Sequence, residues 1–342
     1  MDLGRLKRDL EREVHGEVRF DAGSRAVYAN DFSIYRHIPI GVVIPADADD
    51  VECAVAACRR HGAPLLPRGC GTGPAGQTVN VAMVMDFSKV MRRIAEVEPE
   101  ARRARVEPGV TCDALRDAAE EFDLTYGPDP VTHQYCTFGG MIGNNSCGTH
   151  SLMAGKTSDN VEELEVLTYD GLRMRVGPTG DEQLEAIVRE GGRRGEIYAG
   201  LRDIRDRYAD LVRRRFPDIP RRVSGYNLDE LLPENGFNVA RALVGTEGTC
   251  ATILEATVRL VASPQHRVTV VLGYADVFTA ADHVPEILAH GPIGLEGMDT
   301  VLTKNMEAKG RLADERERLP EGGAWLLAEF GADSAQDALD QA

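Results

Sequence analysis

The feature of this sequence that most constrains its fold is residues 67–77, which read PRGCGTGPAGQ and lie between two apolar, strand-like runs. Four glycines and two prolines leave almost no side chain that could fill a core, so the backbone itself is free to approach a ligand closely. Gly69, Gly71 and Gly73 would let successive N–H groups converge into a concave nest of the kind that holds phosphate oxygens. Thr72 adds a hydroxyl donor. The segment therefore predicts a site for an anionic ligand.

Two later segments share this composition. Residues 137–150, TFGGMIGNNSCGTH, combine glycines with neutral hydrogen-bonding side chains, which suit a pyrophosphate or the edge of a heteroaromatic ring better than a metal ion. Residues 245–249, GTEGT, lie between two predicted strands and could equally be a bulged turn. Each segment alone is as consistent with a structural turn as with a site. The three together favour one shared ligand.

The common nucleotide-binding motifs do not fit these segments. The first segment is not G-x-x-x-x-G-K-[ST], because it lacks the lysine and the hydroxyl that would bind magnesium. It does not match the Rossmann fingerprint either, since Pro74 interrupts it and a strand, rather than a long helix, follows it. A Rossmann domain is therefore not expected.

Charge and composition narrow the partners and the compartment. A formal net charge of -16 opposes binding to nucleic acid or to anionic membranes, since both require clustered cations. No apolar run is long enough to span a membrane, and the polar start lacks the apolar core of a signal peptide. Seven cysteines without a C-x-x-C pair predict free thiols in a reducing compartment, and no metal or iron–sulfur site within this chain. We expect a cytoplasmic protein, with peripheral association with the inner face of the membrane as an alternative.

Hydrophobic periodicity and turn residues predict alternating helices and strands. The predicted elements are a helix over 3–14, a strand over 40–45, a helix over 47–62 capped by Asp47 and ended by Gly62, strands over 63–67 and 81–87, two strands within 97–110, a helix over 111–122 with Phe122 on its buried face, a hairpin within 162–176, two helices within 181–215, two strands within 240–261, a strand over 266–274, a helix over 277–289, strands over 294–298 and 324–330, and a helix over 334–342. Residues 126–156 are expected to be an ordered loop. The aromatic and apolar side chains of residues 31–36 are expected to pack the leader against the body.

The three glycine-rich segments resemble those of a known family. Residues 67–77 resemble the first FAD loop of the vanillyl-alcohol-oxidase/p-cresol-methylhydroxylase (PCMH-type) superfamily, residues 137–161 its second loop, and residues 243–260 the end of its FAD-binding domain. The similarity is closest to the D-lactate dehydrogenase/glycolate-oxidase-subunit branch, whose members are often fused to a C-terminal iron–sulfur domain. Three motifs in this order make a chance resemblance a poor explanation.

The resemblance implies an α+β fold in which two subdomains clasp FAD. It divides the chain into a leader over residues 1–36, a PCMH-type FAD-binding domain over 37–264 with subdomains of about 37–95 and 96–264, and the start of an α/β cap domain over 265–342. The cap is expected to be incomplete at Ala342, so the chain is expected to be the N-terminal piece of a longer protein.

The family's cofactor residues carry over where the motifs match. Backbone N–H groups of residues 68–73 would hold the FAD pyrophosphate, and the other two segments would complete the flavin site. The residues implied to bind FAD are Arg68, Gly69, Cys70, Gly71, Thr72, Gly73, Gln77, Pro128, Thr137, Gly139, Gly140, Asn144, Asn145, Gly148, Gly245, Glu247 and Gly248. Members that attach FAD covalently carry a histidine where Thr72 lies here, so non-covalent FAD is expected.

The implied reaction is oxidation of a D-2-hydroxy acid of the D-lactate, glycolate or 2-hydroxyglutarate type, by hydride transfer to flavin N5 and onward electron transfer. It requires a cation for the carboxylate and a base for the hydroxyl proton. In this branch those residues and a His-rich metal site lie in the cap, and no such His pair occurs in this chain. The main substrate residues, any divalent metal and any iron–sulfur cluster are therefore expected downstream of Ala342. His133 and Arg36 are the candidate catalytic residues within the chain, followed by His150.

Other functions remain open at this stage. On the same fold, the chain could belong to a flavin oxidase of an alcohol or sugar, or to an NADPH-dependent reductase. It could also be a non-catalytic FAD-binding fragment, and this length could be inactive alone. For the dehydrogenase, the expected partners are a small 2-hydroxy acid and an electron acceptor, namely a quinone, a cytochrome or an iron–sulfur domain.

Overall fold

The strands of the protein form four sheets, each covered by helices or loops. A computed structural model describes residues 1–310 and 318–342. The strands are β1 (Glu17–Arg19), β2 (Gly41–Ile44), β3 (Leu65–Arg68), β4 (Met83–Asp86), β5 (Ile94–Glu98), β6 (Arg103–Val106), β7 (Leu124–Thr125), β8 (Val161–Leu167), β9 (Arg173–Val176), β10 (Thr252–Arg259), β11 (Val261–Ala262), β12 (His266–Tyr274), β13 (Gly294–Asp299) and β14 (Ala324–Ala332). The predicted α+β class is confirmed.

The helices lie between and around these strands. They are α1 (Leu3–Glu13), α2 (Ala22–Val27), α3 (Ala48–His61), α4 (Cys112–Glu120), α5 (Phe138–Asn144), α6 (Ser151–Ala154), α7 (Thr157–Asn160), α8 (Asp181–Glu190), α9 (Gly192–Arg215), α10 (Val239–Leu243), α11 (Val277–Asp282), α12 (Val284–Leu288), α13 (Thr300–Ala308) and α14 (Ala335–Gln341), with 3-10 helices at Leu228–Leu231 and Pro233–Asn235. Within the described residues, no helix is both long enough and apolar enough to cross a membrane.

The first sheet has the order β1-β2-β4-β3, and β4 runs parallel to both β2 and β3. The helix α3 crosses between the parallel strands. It begins after Asp47, whose carboxylate accepts the N–H of Asp50 at 2.9 Å, and ends at Gly62, whose φ of 63° suits glycine. Leu6 and Leu10 of α1 are fully buried in the same core as α3. This arrangement brings the carboxyl end of β3 to the start of residues 69–77.

The second sheet is antiparallel, with the order β5-β6-β10-β8-β9. Its middle strand, β10, comes last in sequence and pairs with β6 on one side and β8 on the other. The predicted hairpin of β8 and β9 is confirmed, and its turn contains Gly171 at a φ of 94°. The core of this sheet also buries Leu115 of α4 and Phe138 of α5.

The third sheet has the order β12-β14-β13 and its own core. The strand β14 is central, and it pairs with β12 over the full length of that strand, from His266 with Ala332 to Tyr274 with Ala324. The helices α11 and α14 pack on β12 and β14. A short two-stranded sheet pairs β7, which follows α4, with β11, which lies just before β12 in the chain.

Several expectations about secondary structure are wrong. Residues 126–156 are not simply a loop, because they contain α5 and α6. Residues 239–243 form α10 rather than a strand, because the Asn238 side chain accepts the Arg241 N–H and caps a helix there. The expected single helix over 277–289 is two, α11 and α12, and Pro285, which has no N–H to donate, lies in the first turn of the second. The last predicted helix ends at Gln341, so Ala342 lies just outside α14.

Two expectations about burial are also wrong. Phe32 and Ile34 do not pack the leader against the body, since they are 74% and 95% exposed. The leader is held instead by α1 and by Asp50, whose buried carboxylate accepts three backbone N–H groups, two of them from the turn after α1. Phe122 is 45% exposed because α4 ends at Glu120, before the residue reaches the buried face.

Candidate functional site

The three glycine-rich segments meet in one cleft, which we call the glycine cleft. Residues 69–77 leave the carboxyl end of β3, residues 137–144 lead into and form α5, and residues 245–248 connect α10 to β10. The cleft consists of two adjoining pockets that share Gly69, Gln77 and Thr137 among their lining residues. The implied residues that line it are Arg68, Gly69, Cys70, Gly71, Thr72, Gly73, Gln77, Thr137, Gly139, Gly140, Asn144, Glu247 and Gly248.

The first segment presents unpaired backbone donors to the cleft. Within the described part of the chain, no hydrogen bond is made by the N–H groups of residues 69–73. Gly71 has a φ of 71°, a conformation that glycine adopts without strain. Gly71 and Gly73 are buried, where backbone N–H groups are nearly always paired, so their donors are available to an acceptor that the described residues do not supply.

The Arg68 side chain holds the loops around residues 69–77 in place. Its guanidinium donates to the carbonyl oxygens of Tyr28 (3.2 Å), Asn30 (2.8 Å) and Thr78 (2.9 Å), and it lies 5.4 Å from the centre of the Tyr28 ring. Burial lowers the pKa of Arg68, and the nearby carboxylates of Asp31 and Asp86 oppose that effect. The Arg68 side chain therefore serves to hold loops together, and its hydrogen-bonding capacity is largely used there.

Thr137 places a second unpaired group beside the first segment. It is the residue before α5, but its hydroxyl does not cap the helix, and Oγ1 is buried without any hydrogen-bond partner among the described residues. A methyl group added to Gly69 would lie 2.1 Å from this oxygen, so only glycine allows the two segments to approach this closely. Because Thr137 also lines the cleft, its unpaired hydroxyl is available to a ligand atom there.

One wall of the cleft is apolar. It is formed by Phe87, Val166, Leu243, Ala251 and Ile253, and such a wall can bury a flat aromatic ring system. Sequence reasoning missed these residues because an apolar side chain on a strand predicts burial and nothing more. It also missed Thr78, for which a signal existed, since it is the polar neighbour of Gln77, an implied site residue.

Four implied residues support the cleft without lining it. Pro128 is buried behind it. Asn145 ends α5 at a φ of 50°, and its Oδ1 accepts the Ser158 N–H at 2.9 Å. Gly148 packs directly on the Asp129 backbone, and Gly245 donates its N–H to the Ile142 carbonyl oxygen at 2.8 Å.

The two candidate catalytic residues, His133 and Arg36, make few side-chain contacts in the structure. The ring of His133 contacts the Asp113 carboxylate through Nδ1 at 2.7 Å and is about one-third exposed. Arg36 is exposed and pairs only through its backbone, in an isolated bridge with Asn30, as far as the described residues show. Neither residue is among those that line the glycine cleft. The expectation that the main substrate residues follow Ala342 concerns residues outside this sequence, and it stays a prediction.

His150 joins the second glycine segment to the third sheet. Its Nδ1 lies 2.5 Å from Oδ2 of Asp129, and its Nε2 lies 3.3 Å from Oε1 of Glu329 on β14. These two carboxylates raise the pKa of His150 to about 9, the contact with Asp129 contributing most. Arg267 of β12 lies 3.7 Å from the same Glu329 oxygen. We call these four residues the His150 junction.

The side chains that commonly bind metals are dispersed. In residues 1–310 and 318–342, no group of three or more His, Cys, Asp or Glu side chains is arranged to hold a metal ion.

Comparison with known proteins shows which family models and relatives this chain resembles. A model of the FAD binding domain matches residues 39–177, and a model of the C-terminal domain of FAD linked oxidases matches residues 263–342. A D-2-hydroxyglutarate dehydrogenase of Pseudomonas putida is 35% identical over 289 residues, which are 83% of this chain and 29% of that protein. The glycolate oxidase subunit GlcD of Bacillus subtilis (strain 168) is 31% identical over 295 residues, which are 84% of this chain and 52% of that protein.

Solved structures show the same architecture. An alkyldihydroxyacetonephosphate synthase matches 99% of this chain and 61% of its own with a TM-score of 0.70 at 16% identity, a similarity that concerns the fold alone. The chain spans less than a third of the first dehydrogenase and about half of the GlcD protein.

Proposed function

Because this chain belongs to the family of FAD-linked oxidases, we propose that it holds FAD in the glycine cleft and serves the oxidation of a D-2-hydroxy acid. The predicted resemblance to the branch that contains the glycolate oxidase GlcD protein is confirmed. The observation that carries the proposal is the row of unpaired N–H groups in residues 69–73 beside the unpaired Thr137 hydroxyl, among the residues that the structure describes.

The cleft residues suit a dinucleotide cofactor. Among the described residues that line the cleft, only Arg68 and Glu247 carry charged side chains, and Arg68 is already bound to three carbonyl oxygens. The pyrophosphate charge would therefore be held by backbone N–H groups and by neutral donors such as Thr137 and Asn144. The apolar wall would bury a ring and exclude water from it. When bound, FAD supplies the acceptor for the two electrons of the oxidation.

We propose a 2-hydroxy acid as substrate because glycolate and 2-hydroxyglutarate, the acids in the names of the two relatives, share that group. The described residues of the cleft contribute no free cation for the substrate carboxylate, since Arg68 is occupied. The carboxylate-binding cation and the base would then come from residues downstream of Ala342, with His133 and Arg36 as candidates within the chain. The electron acceptor would be a quinone, a cytochrome or an iron–sulfur domain, and the protein would work in the cytoplasm.

The domain division belongs to the same proposal. Residues 37–264 would form the FAD-binding domain and residues 265–342 the start of the cap. The separate hydrophobic core of the third sheet supports a boundary near Pro264. The alternatives are a flavin oxidase of an alcohol or sugar, an NADPH-dependent reductase on the same fold, and a non-catalytic FAD-binding fragment.

Replacement of Thr137 tests the cofactor site. Thr137→Val keeps the shape of the side chain and removes the unpaired hydroxyl, so we expect FAD to bind about three- to tenfold more weakly, the value of one neutral hydrogen bond. The stability of the FAD-free chain should be unchanged or higher, because a buried unpaired group is removed. Thr303→Val, which alters a fully buried threonine of α13 away from the cleft, is the matched control. Equal FAD affinity for wild type and Thr137→Val, measured by flavin fluorescence titration, would contradict the assignment.

A substrate panel tests the chemistry separately. Full-length protein reconstituted with FAD is mixed without oxygen with D- and L-2-hydroxy acids, and the flavin absorbance is followed. We expect bleaching by a D-2-hydroxy acid. Protein that binds FAD but is bleached by no member of the panel would exclude this substrate class and leave the cofactor site in place.

A further inference from the structure

Two buried cysteines lie side by side in the wall of the glycine cleft. Thr111 and Thr137 form an isolated antiparallel bridge, and Cys112 and Cys136 are the next pair across it. The Cys112 N–H donates to the Cys136 carbonyl oxygen at 3.0 Å. Neighbouring residues across an antiparallel bridge have Cα atoms roughly 4.5–5.5 Å apart, and a disulfide spans roughly 4.4–6.8 Å. The bridge therefore brings the two cysteines close together, and their thiols interact with each other.

The two thiols differ in their access to solvent. Cys136 lines the cleft next to Thr132 and Gly140, whereas Cys112 is fully buried behind it, with Sγ 3.5 Å from the Pro128 carbonyl oxygen. A small oxidant that enters the cleft can reach Cys136, and it can reach Cys112 only through Cys136.

The pKa values of the two thiols also shift in opposite directions. Contact with the Cys112 thiol lowers the pKa of Cys136, Thr132 acts in the same direction, and burial opposes both. The same contact, together with burial, raises the pKa of Cys112. Since the thiolate is the reactive form, the sulfur that is reachable is also the one favoured for attack.

We propose that Cys112 and Cys136 form a redox-active pair in which Cys136 is oxidised by a small peroxide and Cys112 then closes a disulfide. In the first step the Cys136 thiolate attacks one oxygen of hydrogen peroxide, the O–O bond breaks, and a sulfenic acid and hydroxide form, the latter taking up a proton to become water. In the second step the Cys112 sulfur attacks the Cys136 sulfur, loses its proton, and the S–O bond breaks to release a second water. Two thiols and one peroxide thus give one disulfide and two waters.

The disulfide would join two elements that shape the cleft. Cys112 is the first residue of α4, and Cys136 lies two residues before α5, which carries Gly139, Gly140 and Asn144. Oxidation would therefore tether the start of α5 to α4, at the wall where residues 69–73 face it.

Peptide mapping of the wild-type chain tests the pair directly. The protein is exposed to a small excess of hydrogen peroxide, unfolded in the presence of an alkylating agent, digested and analysed by mass spectrometry. We expect a peptide in which Cys112 is linked to Cys136, lost on treatment with dithiothreitol, and an equal loss of alkylation at both residues. Cys58, a fully buried thiol whose pKa burial raises to about 12, is the internal control and should remain fully alkylated.

A variant tests the order of the two steps. In Cys112→Ala the second sulfur is missing, so a sulfenic acid should accumulate at Cys136 and be trapped by dimedone. Retention of both thiols under a peroxide dose that oxidises the exposed Cys250 would overturn the proposal. So would a linkage of Cys136 to Cys70 in place of Cys112. Because mapping uses the wild-type protein, the result does not depend on the folding of the variant.

Discussion

The His150 junction makes the stability of the protein depend on pH in a direction that can be calculated. The pKa of His150 is raised from 6.5 to about 9 by Asp129 and Glu329, so the folded state holds the proton more tightly than the unfolded state. A raised pKa gives stability that is fully present below pH 6.5 and is lost as the pH rises through 9. At about 1.4 kcal/mol per pKa unit, the shift corresponds to about 3 kcal/mol.

The perturbation is His150→Gln, which keeps a polar side chain and removes the titration. At about pH 6 we expect wild type to be more stable than the variant, and the difference between them should shrink by about 3 kcal/mol when the pH is raised to about 9.5. Urea unfolding followed by tryptophan fluorescence is the assay. Trp325, the single tryptophan, is buried on β14, the strand that carries Glu329, so it reports on the sheet that the junction joins.

The control is a histidine outside the junction. His290 is exposed and has no side-chain partner in the described parts of the chain, so His290→Gln is the matched variant to measure beside His150→Gln. A difference between wild type and His150→Gln that stays constant within about 1 kcal/mol over the same pH range would refute the reasoning, because it would mean that the junction does not hold a proton on His150.

Three further outcomes are expected. Asp50→Ala should destabilise the chain to urea by about 3 kcal/mol, since three backbone N–H groups lose their acceptor, and a loss below about 1 kcal/mol would contradict the role given to Asp50. Gly62→Ala should destabilise the protein to heat by about 1 kcal/mol because Gly62 has a φ of 63°, and Gly200→Ala should stabilise it by about 1 kcal/mol because Gly200 lies inside α9 with open space around it. If both variants shifted the thermal midpoint in the same direction, backbone conformation would not explain the two effects. Acid precipitation of the FAD-loaded protein should leave the flavin in the supernatant, as Thr72 predicts, and a yellow pellet would reverse that expectation.

Elements with clear end signals could be predicted from the sequence. Asp47 and Gly62 mark both ends of α3, and β12 has the predicted bounds. By contrast, α5 has three glycines in seven residues, which argues against a helix. It forms because the burial of Phe138, Met141 and Ile142 outweighs that propensity, and because its first N–H groups donate to Val110 and Pro108. Those contacts are distant in sequence, and no local pattern predicts them.

The candidate site likewise has parts that the sequence predicts and parts that depend on contacts between distant residues. The backbone donors of residues 69–73 follow from composition, since glycine and a turn leave N–H groups exposed. The apolar wall could not be predicted, because Val166 and Ile253 read only as interior residues until β8 and β10 pair beside the first sheet. The sequence also gives no sign of the contacts of His150, since its two carboxylate partners come from a preceding loop and from β14.

The central position of β10 has a consequence for how the protein is made. This strand separates β6 from β8, yet it is synthesised after both, so a ribosome that has completed β9 carries a nascent chain with two unpaired edges awaiting one missing strand. Exposed edges of this kind recruit other strands and aggregate. The third glycine segment immediately precedes β10, so the last part of the cleft appears just before the strand that closes the sheet. Cofactor loading during translation is therefore expected only after Arg259 has emerged, and until then both edges stay open to pairing with other strands.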